Sequence, residues 1–113
     1  MLYFDFEAGN KAYKLRLNTR NVINLEKQLN CNPVAIFGMG DTIPTVSAMV
    51  AILHQSLQQY QHGVTVDDAY RIFDDYLADG NTVTDFISVI IEIYKVSGIL
   101  KNSTDDTEDT EKN

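Results

Sequence analysis

The sequence is poor in the residue types from which most recognisable chemistry is built. It has one cysteine, Cys31, and two histidines, His54 and His62, among 113 residues. A lone thiol forms no intramolecular disulfide, and nothing pairs with it as a metal ligand, which points to a reducing compartment and a soluble, intracellular protein. Nucleophilic catalysis needs a base that orients and deprotonates the nucleophile, and neither histidine stands in such a pattern with Cys31. Cys31 therefore reads as a structural thiol, His54 as a boundary residue of a helix, and His62 as part of a C-terminal turn. Basic charge is also scarce: nine Lys and Arg against sixteen Asp and Glu give a formal charge of −7. Such a chain is repelled by nucleic-acid backbones and anionic membrane surfaces unless its cations are gathered in one place. No run approaches the roughly 18 apolar residues of a membrane span. Residues 1–7 alternate in polarity, unlike a signal peptide. Gly38 and Gly40 are a lone glycine pair, not a phosphate-binding loop.

What is present is one domain's worth of core, with 44% hydrophobic residues, and the expected class is α+β, mostly α. In residues 1–7, Leu2, Phe4 and Phe6 share one face. In residues 11–17, Tyr13, Leu15 and Leu17 do the same, with Lys14 and Arg16 opposite. Gly9-Asn10 between them closes a β-hairpin over residues 1–17. At Asn18-Thr19 the period becomes helical through Val22, Leu25 and Leu29, and Asn30 ends that helix. Asn32-Pro33 opens a short turn at residues 34–37. Thr42 and Pro44 open a longer helix with a stripe of Val46, Met49, Val50, Leu53, Leu57 and Tyr60, stopped by Gly63. Thr65 with Asp68, and Thr82 with Asp85, are capping-box signals for two more helices, ended by Gly80 and Gly98. The helical part thus spans residues 18–100. Residues 101–113 contain no apolar side chain and carry five acids, Asp105, Asp106, Glu108, Asp109 and Glu111, which reads as a disordered acidic tail.

The acids form no recognisable site. Asp75, Asp79 and Gly80 sit at the first, fifth and sixth positions of a calcium loop, but Leu77 and Phe86 occupy the third and twelfth, where ligands are required. No spacing singles out a carboxylate pair for glycoside chemistry. The expectation is a protein without catalytic, metal-binding or cofactor-binding residues. Apolar surface is more informative. In the last helix the polar stripe Thr84, Ser88, Glu92, Lys95 covers only about 100° of arc. Either that helix is central and enclosed by its own chain, or a partner covers part of it. Residues 1–30 are mildly basic and the remainder strongly acidic, which suits head-to-tail self-association.

The order of these features resembles the small tail assembly chaperones of long-tailed phages and related prophage and gene-transfer-agent proteins. The residues that carry the likeness are the strand Tyr13-Lys-Leu-Arg-Leu17, Thr19, the helix with Leu25-Glu26 and Leu29, and Asn32 with its short apolar turn. The resemblance implies a non-enzymatic protein that coats the tape-measure protein and keeps it soluble in the bacterial cytoplasm. It implies absence from the mature virion and a longer, frameshifted form that recruits tail tube protein. On that basis Tyr70, Tyr76, Val89, Ile91 and Val96 are the expected apolar contacts, by helix-in-groove recognition. Lys14 and Arg16 are expected to meet an acidic face of a neighbouring copy. An alternative class is an acidic inhibitor that mimics nucleic-acid charge and blocks a DNA-binding host protein. That function needs carboxylates spread along a continuous surface.

Overall fold

A computed structural model describes residues 2–37 and 43–101. Two antiparallel strands, β1 (Phe4–Ala8) and β2 (Lys11–Leu15), lead into α1 (Thr19–Leu29). A 3-10 turn (Pro33–Phe37) follows, and then α2 (Val46–Leu57), α3 (Val66–Ala78) and α4 (Val83–Val96). The expected hairpin and four helices are therefore present. The proposed tail and the Gly38-Gly40 pair lie outside the described residues, apart from Lys101.

Local chemistry accounts for the element ends. In the hairpin Ala8 pairs with Lys11, leaving a two-residue loop in which Gly9 and Asn10 both have positive φ (58° and 63°). That conformation matches the right-handed twist of the strands. Glycine at position 9 has a second reason. A Cβ there would lie 2.8 Å from Asp75 Oδ2, while the Gly9 N–H donates to Asp79 Oδ2 at 2.9 Å. The hairpin tip is thus seated on the C-terminal end of α3. The Asn18, Thr65 and Thr82 side chains cap α1, α3 and α4, each in a reciprocal capping box. An Asp at the third helical position completes the last two boxes: the Thr65 N–H donates to Asp68 at 2.9 Å and the Thr82 N–H to Asp85 at 2.8 Å. Helix α2 is capped by the Thr45 side chain, which accepts from the Ala48 N–H at 3.0 Å, and it ends at Leu57, short of Tyr60; Thr42 lies outside the described residues. Two glutamines divert its last carbonyls: Gln58 Nε2 donates to His54 O and Val64 O, and Gln61 Nε2 to Leu57 O and Lys14 O.

The core has two parts. Phe6, Phe73, Tyr76 and Phe86 form an aromatic cluster beneath the hairpin, with Phe73 and Phe86 centroids 5.1 Å apart. The aliphatic part centres on α2, which touches α1, α3, α4 and β2. Helix α2 contains no Asp, Glu, Lys or Arg, and eight of its residues are buried. A helix that is apolar on most sides is an interior helix. Ile52 and Ile72, both off the main stripes, are buried for this reason, one in the middle of α2 and the other on the α3 face toward the core. The central helix is α2.

Helix α4 is closed at its far end by the hairpin. Arg16 donates from its guanidinium to the carbonyls of Val96 and Leu2, and the Leu17 N–H donates to Ser97 Oγ at 2.9 Å. The fully buried Tyr94 donates its hydroxyl to Pro33 O at 3.0 Å, fastening α4 to the 3-10 turn. Burial, with a smaller contribution from Cys31, pushes the Tyr94 hydroxyl well above the ordinary tyrosine value near 10. A group whose pKa is raised on folding gives stability that is complete below its unfolded pKa and lost as pH rises through the folded one. Stability should therefore fall as pH rises above about 10. Tyr94→Phe is expected to cost about 1 kcal/mol at pH 7 and to flatten that alkaline decline, as read by urea unfolding at pH 7 and pH 10.5. An unchanged alkaline slope in the variant would contradict it. Tyr76, also raised by burial, contributes in the same direction.

Candidate functional site

Six large hydrophobic side chains are exposed among the described residues: Leu2, Ile23, Ile43, Val46, Val66 and Tyr70. Four of them, Ile43, Val46, Val66 and Tyr70, line two adjoining hollows of about 390 and 440 Å³. The hollows share Gln28, Ser47 and Ala51, so they form one groove along α2, with the end of α1 on one side and α3 on the other.

The groove follows from the way α2 is surrounded. At about 100° per residue, Ser47, Ala51 and His54 fall within about 60° of one another on the helix surface. On one flank of that row Gln55 is buried and accepts from Asn21 Nδ2 of α1 at 3.3 Å. On the other flank, Val50 lines the same hollow as Phe73 of α3. Helix α4 and β2 also pack on α2. One sector remains open, floored by the small side chains Ser47 and Ala51, with Val46, Val66 and Tyr70 along its α3 rim. Tyr70 is 53% exposed. From Ser47 to His54 the floor runs about 10 Å, two turns of an opposing helix at 1.5 Å per residue.

Polar groups in and around the groove are few. Asp74 is the one carboxylate among the lining residues. His54 contributes an anomaly: its Nδ1 is buried and has no hydrogen-bond partner, alone in this among the described side-chain nitrogens and oxygens. An unsatisfied buried group of this kind costs about 1–3 kcal/mol. Cys31 lies at the other end of the groove and is half-buried. No group of three or more His, Cys, Asp or Glu among the described residues could hold a metal ion, and no described helix is long and apolar enough to cross a membrane.

The structure separates the residues expected to make contacts. Tyr70 is exposed on the groove rim. Ile91 and Val96 are half-buried on α4, away from the groove lining. Tyr76 and Val89 are corrections: they are only 6% and 9% exposed. Tyr76 lies on the same α3 face as Ala69, Ile72 and Phe73 and packs against Phe6 and Phe86. Val89 shares the buried side of α4 with Phe86, Ile90 and Ile93. Most of the apolar girdle of α4 is thus covered by its own chain, with Ile87 and Val83 packed on the core, while Ile91 and Val96 stay half-buried. None of the exposed large hydrophobics belongs to α4. Arg16 is half-buried, and its guanidinium donates to the Leu2 and Val96 carbonyls. Lys14 is exposed, with its ammonium 4.9 Å from the Tyr3 ring centroid.

The groove escaped sequence reasoning because Val46 and Val50 fit a core stripe, while Ser47 and Ala51 carry no distinctive chemistry. The signal that could have found it is the absence of charge from Val46–Leu57. A surface helix would carry charges on its outer face, so an open side without them is an apolar surface left for something else.

The chain belongs to a family of unknown function (DUF6096), whose model matches residues 5–113. Neither a curated protein nor a solved structure matches it.

Proposed function

We propose that this member of the DUF6096 family is a non-enzymatic tail assembly chaperone of the long-tailed phage kind. In this reading it binds the tape-measure protein and keeps it soluble in the bacterial cytoplasm until tube subunits assemble, and it does not remain in the mature virion. A frameshifted longer form would bring in the tail tube protein. The single observation that carries the reading is the open sector of α2, where an interior helix presents the small side chains Ser47 and Ala51 as the floor of a groove with an apolar rim, between α1 and α3. A helical client with a hydrophobic stripe can complete that position by ridges-into-grooves packing. Two further features support it. The groove collects most of the large exposed apolar side chains among the described residues. The unpaired His54 Nδ1 marks a place where local stability is not maximal, as is common where a surface serves binding. The net charge of −7 would keep a coated client dispersed by mutual repulsion.

The test is co-expression with a tape-measure protein, the long helical client that this proposal names. That protein is expected in the soluble fraction, co-purifying with this chain, and in the pellet when expressed alone. Equal insolubility with and without this chain would overturn the proposal.

A further inference from the structure

The charges around the groove specify more than an apolar client. On α3, Val66 and Tyr70 form the rim, and Asp67 and Asp74 lie one row further out. Seven residues apart, they stand on the same side of the helix, two turns from each other. Both are exposed, and Asp74 reaches the hollow itself. The other acids of this region are engaged elsewhere. Asp68 accepts from the Thr65 backbone and from Arg71 at 3.1 Å, which hold its carboxyl below the usual carboxylate range. Asp79 accepts from Gly9, and Asp75 stands against the same backbone. Across the groove, α1 offers the neutral Gln28, and the α2 floor carries no carboxylate, lysine or arginine.

We infer that the helix received by this groove carries an apolar stripe with lysines or arginines along the flank that faces α3, placed to meet Asp67 and Asp74. The inference rests on the reading of the groove as a client surface and names the chemistry of the client segment. Other occupants fit less well. Residues 101–113 of this chain have no apolar side chain and would bring five more acids to an acidic rim. A second copy could offer α1, where Ile23 lies between Arg20 and Lys27, but Ile23 is the one large apolar residue exposed on that helix. A single side chain leaves most of a two-turn groove unfilled.

The full chain can be titrated against two labelled, hydrocarbon-stapled 18-residue helical peptides by fluorescence anisotropy. Both carry the same leucine and alanine stripe, one with lysine and the other with glutamate along a single flank. The lysine peptide is expected to bind about tenfold more tightly at low salt, as two exposed ion pairs allow. The preference should shrink as salt is raised. It should vanish in Asp67→Asn/Asp74→Asn, whose substitutions are on the surface and should leave the melting temperature nearly unchanged. Equal affinities, or a preference that survives the double substitution, would overturn the inference. So would self-association seen by light scattering and abolished by Ser47→Gln/Ala51→Gln, since the groove would then belong to a second copy. If the lysine peptide binds as expected but the co-expressed tape-measure protein stays insoluble, the tail-assembly reading fails and the groove's charge preference stands. If that protein is kept soluble while neither flank is preferred, the reverse holds.

Discussion

Replacing Phe86 with alanine is expected to destabilise the protein by about 3–5 kcal/mol, the usual cost of emptying a buried aromatic site. Phe86 is fully buried and meets Phe6, Phe73 and Tyr76 at centroid distances of 6.1, 5.1 and 5.6 Å. These four rings come from β1, α3 and α4, so one cavity loosens the hairpin and two helices together. The surroundings cannot readily collapse into it, because the hairpin tip is fixed on α3 through Gly9 and Asp79. For a domain of roughly this size, each kcal/mol lowers the melting temperature by about 4–8 °C. The alanine variant should therefore melt at least about 12 °C lower, or be unfolded at 37 °C if total stability is near the low end of the ordinary range. Phe86→Leu, which keeps most of the volume, should lose less than half as much. Thermal unfolding followed by circular dichroism measures both. A shift below about 3 °C for Phe86→Ala would mean that the aromatic cluster does not hold the hairpin to the helices.

Most of the fold could be read from local chemistry. The alternation in residues 1–17 and the Gly9-Asn10 turn specify a hairpin, because period two and positive φ leave few other conformations. Asn18, Thr65 and Thr82 mark helix starts because a side-chain oxygen satisfies an N–H that the helix leaves open. Asn30, with φ of 58°, ends α1 in the left-handed conformation that asparagine tolerates. The β-branched residues of α4 do not divert it into a strand, since the Thr82–Asp85 box and the burial of Phe86, Ile90 and Ile93 along one face favour the helix.

The site was less legible because it depends on which helix is central, and that is a tertiary fact. A wide apolar girdle on α4 and the uncharged sequence of α2 are both signs of an interior helix. Only the packing decides which of them has a side left open. Tyr70 and Tyr76 illustrate the same limit. They are six residues apart on one helix, yet one lies on the groove rim and the other under the hairpin, because a 600° advance carries Tyr76 round to the core face. Arg16 looks like a solvated strand cation in sequence. Its role in closing α4 depends on Val96, 80 residues away.

The open side of α2, and not α4, is the surface proposed to hold a client. The co-expression is repeated with two variants of this chain, and the amount of tape-measure protein that remains soluble is measured. Ser47→Gln/Ala51→Gln fills the groove floor with uncharged side chains at an exposed and a half-buried position. Its melting temperature should stay within about 3 °C of the parent, as expected for changes outside the fully buried core. Ile91→Gln alters a half-buried residue of α4 away from the groove. At least a tenfold loss of soluble client is expected with the groove variant, and parental levels with Ile91→Gln. Full solubilisation by the groove variant, or its loss with Ile91→Gln alone, would contradict the proposal.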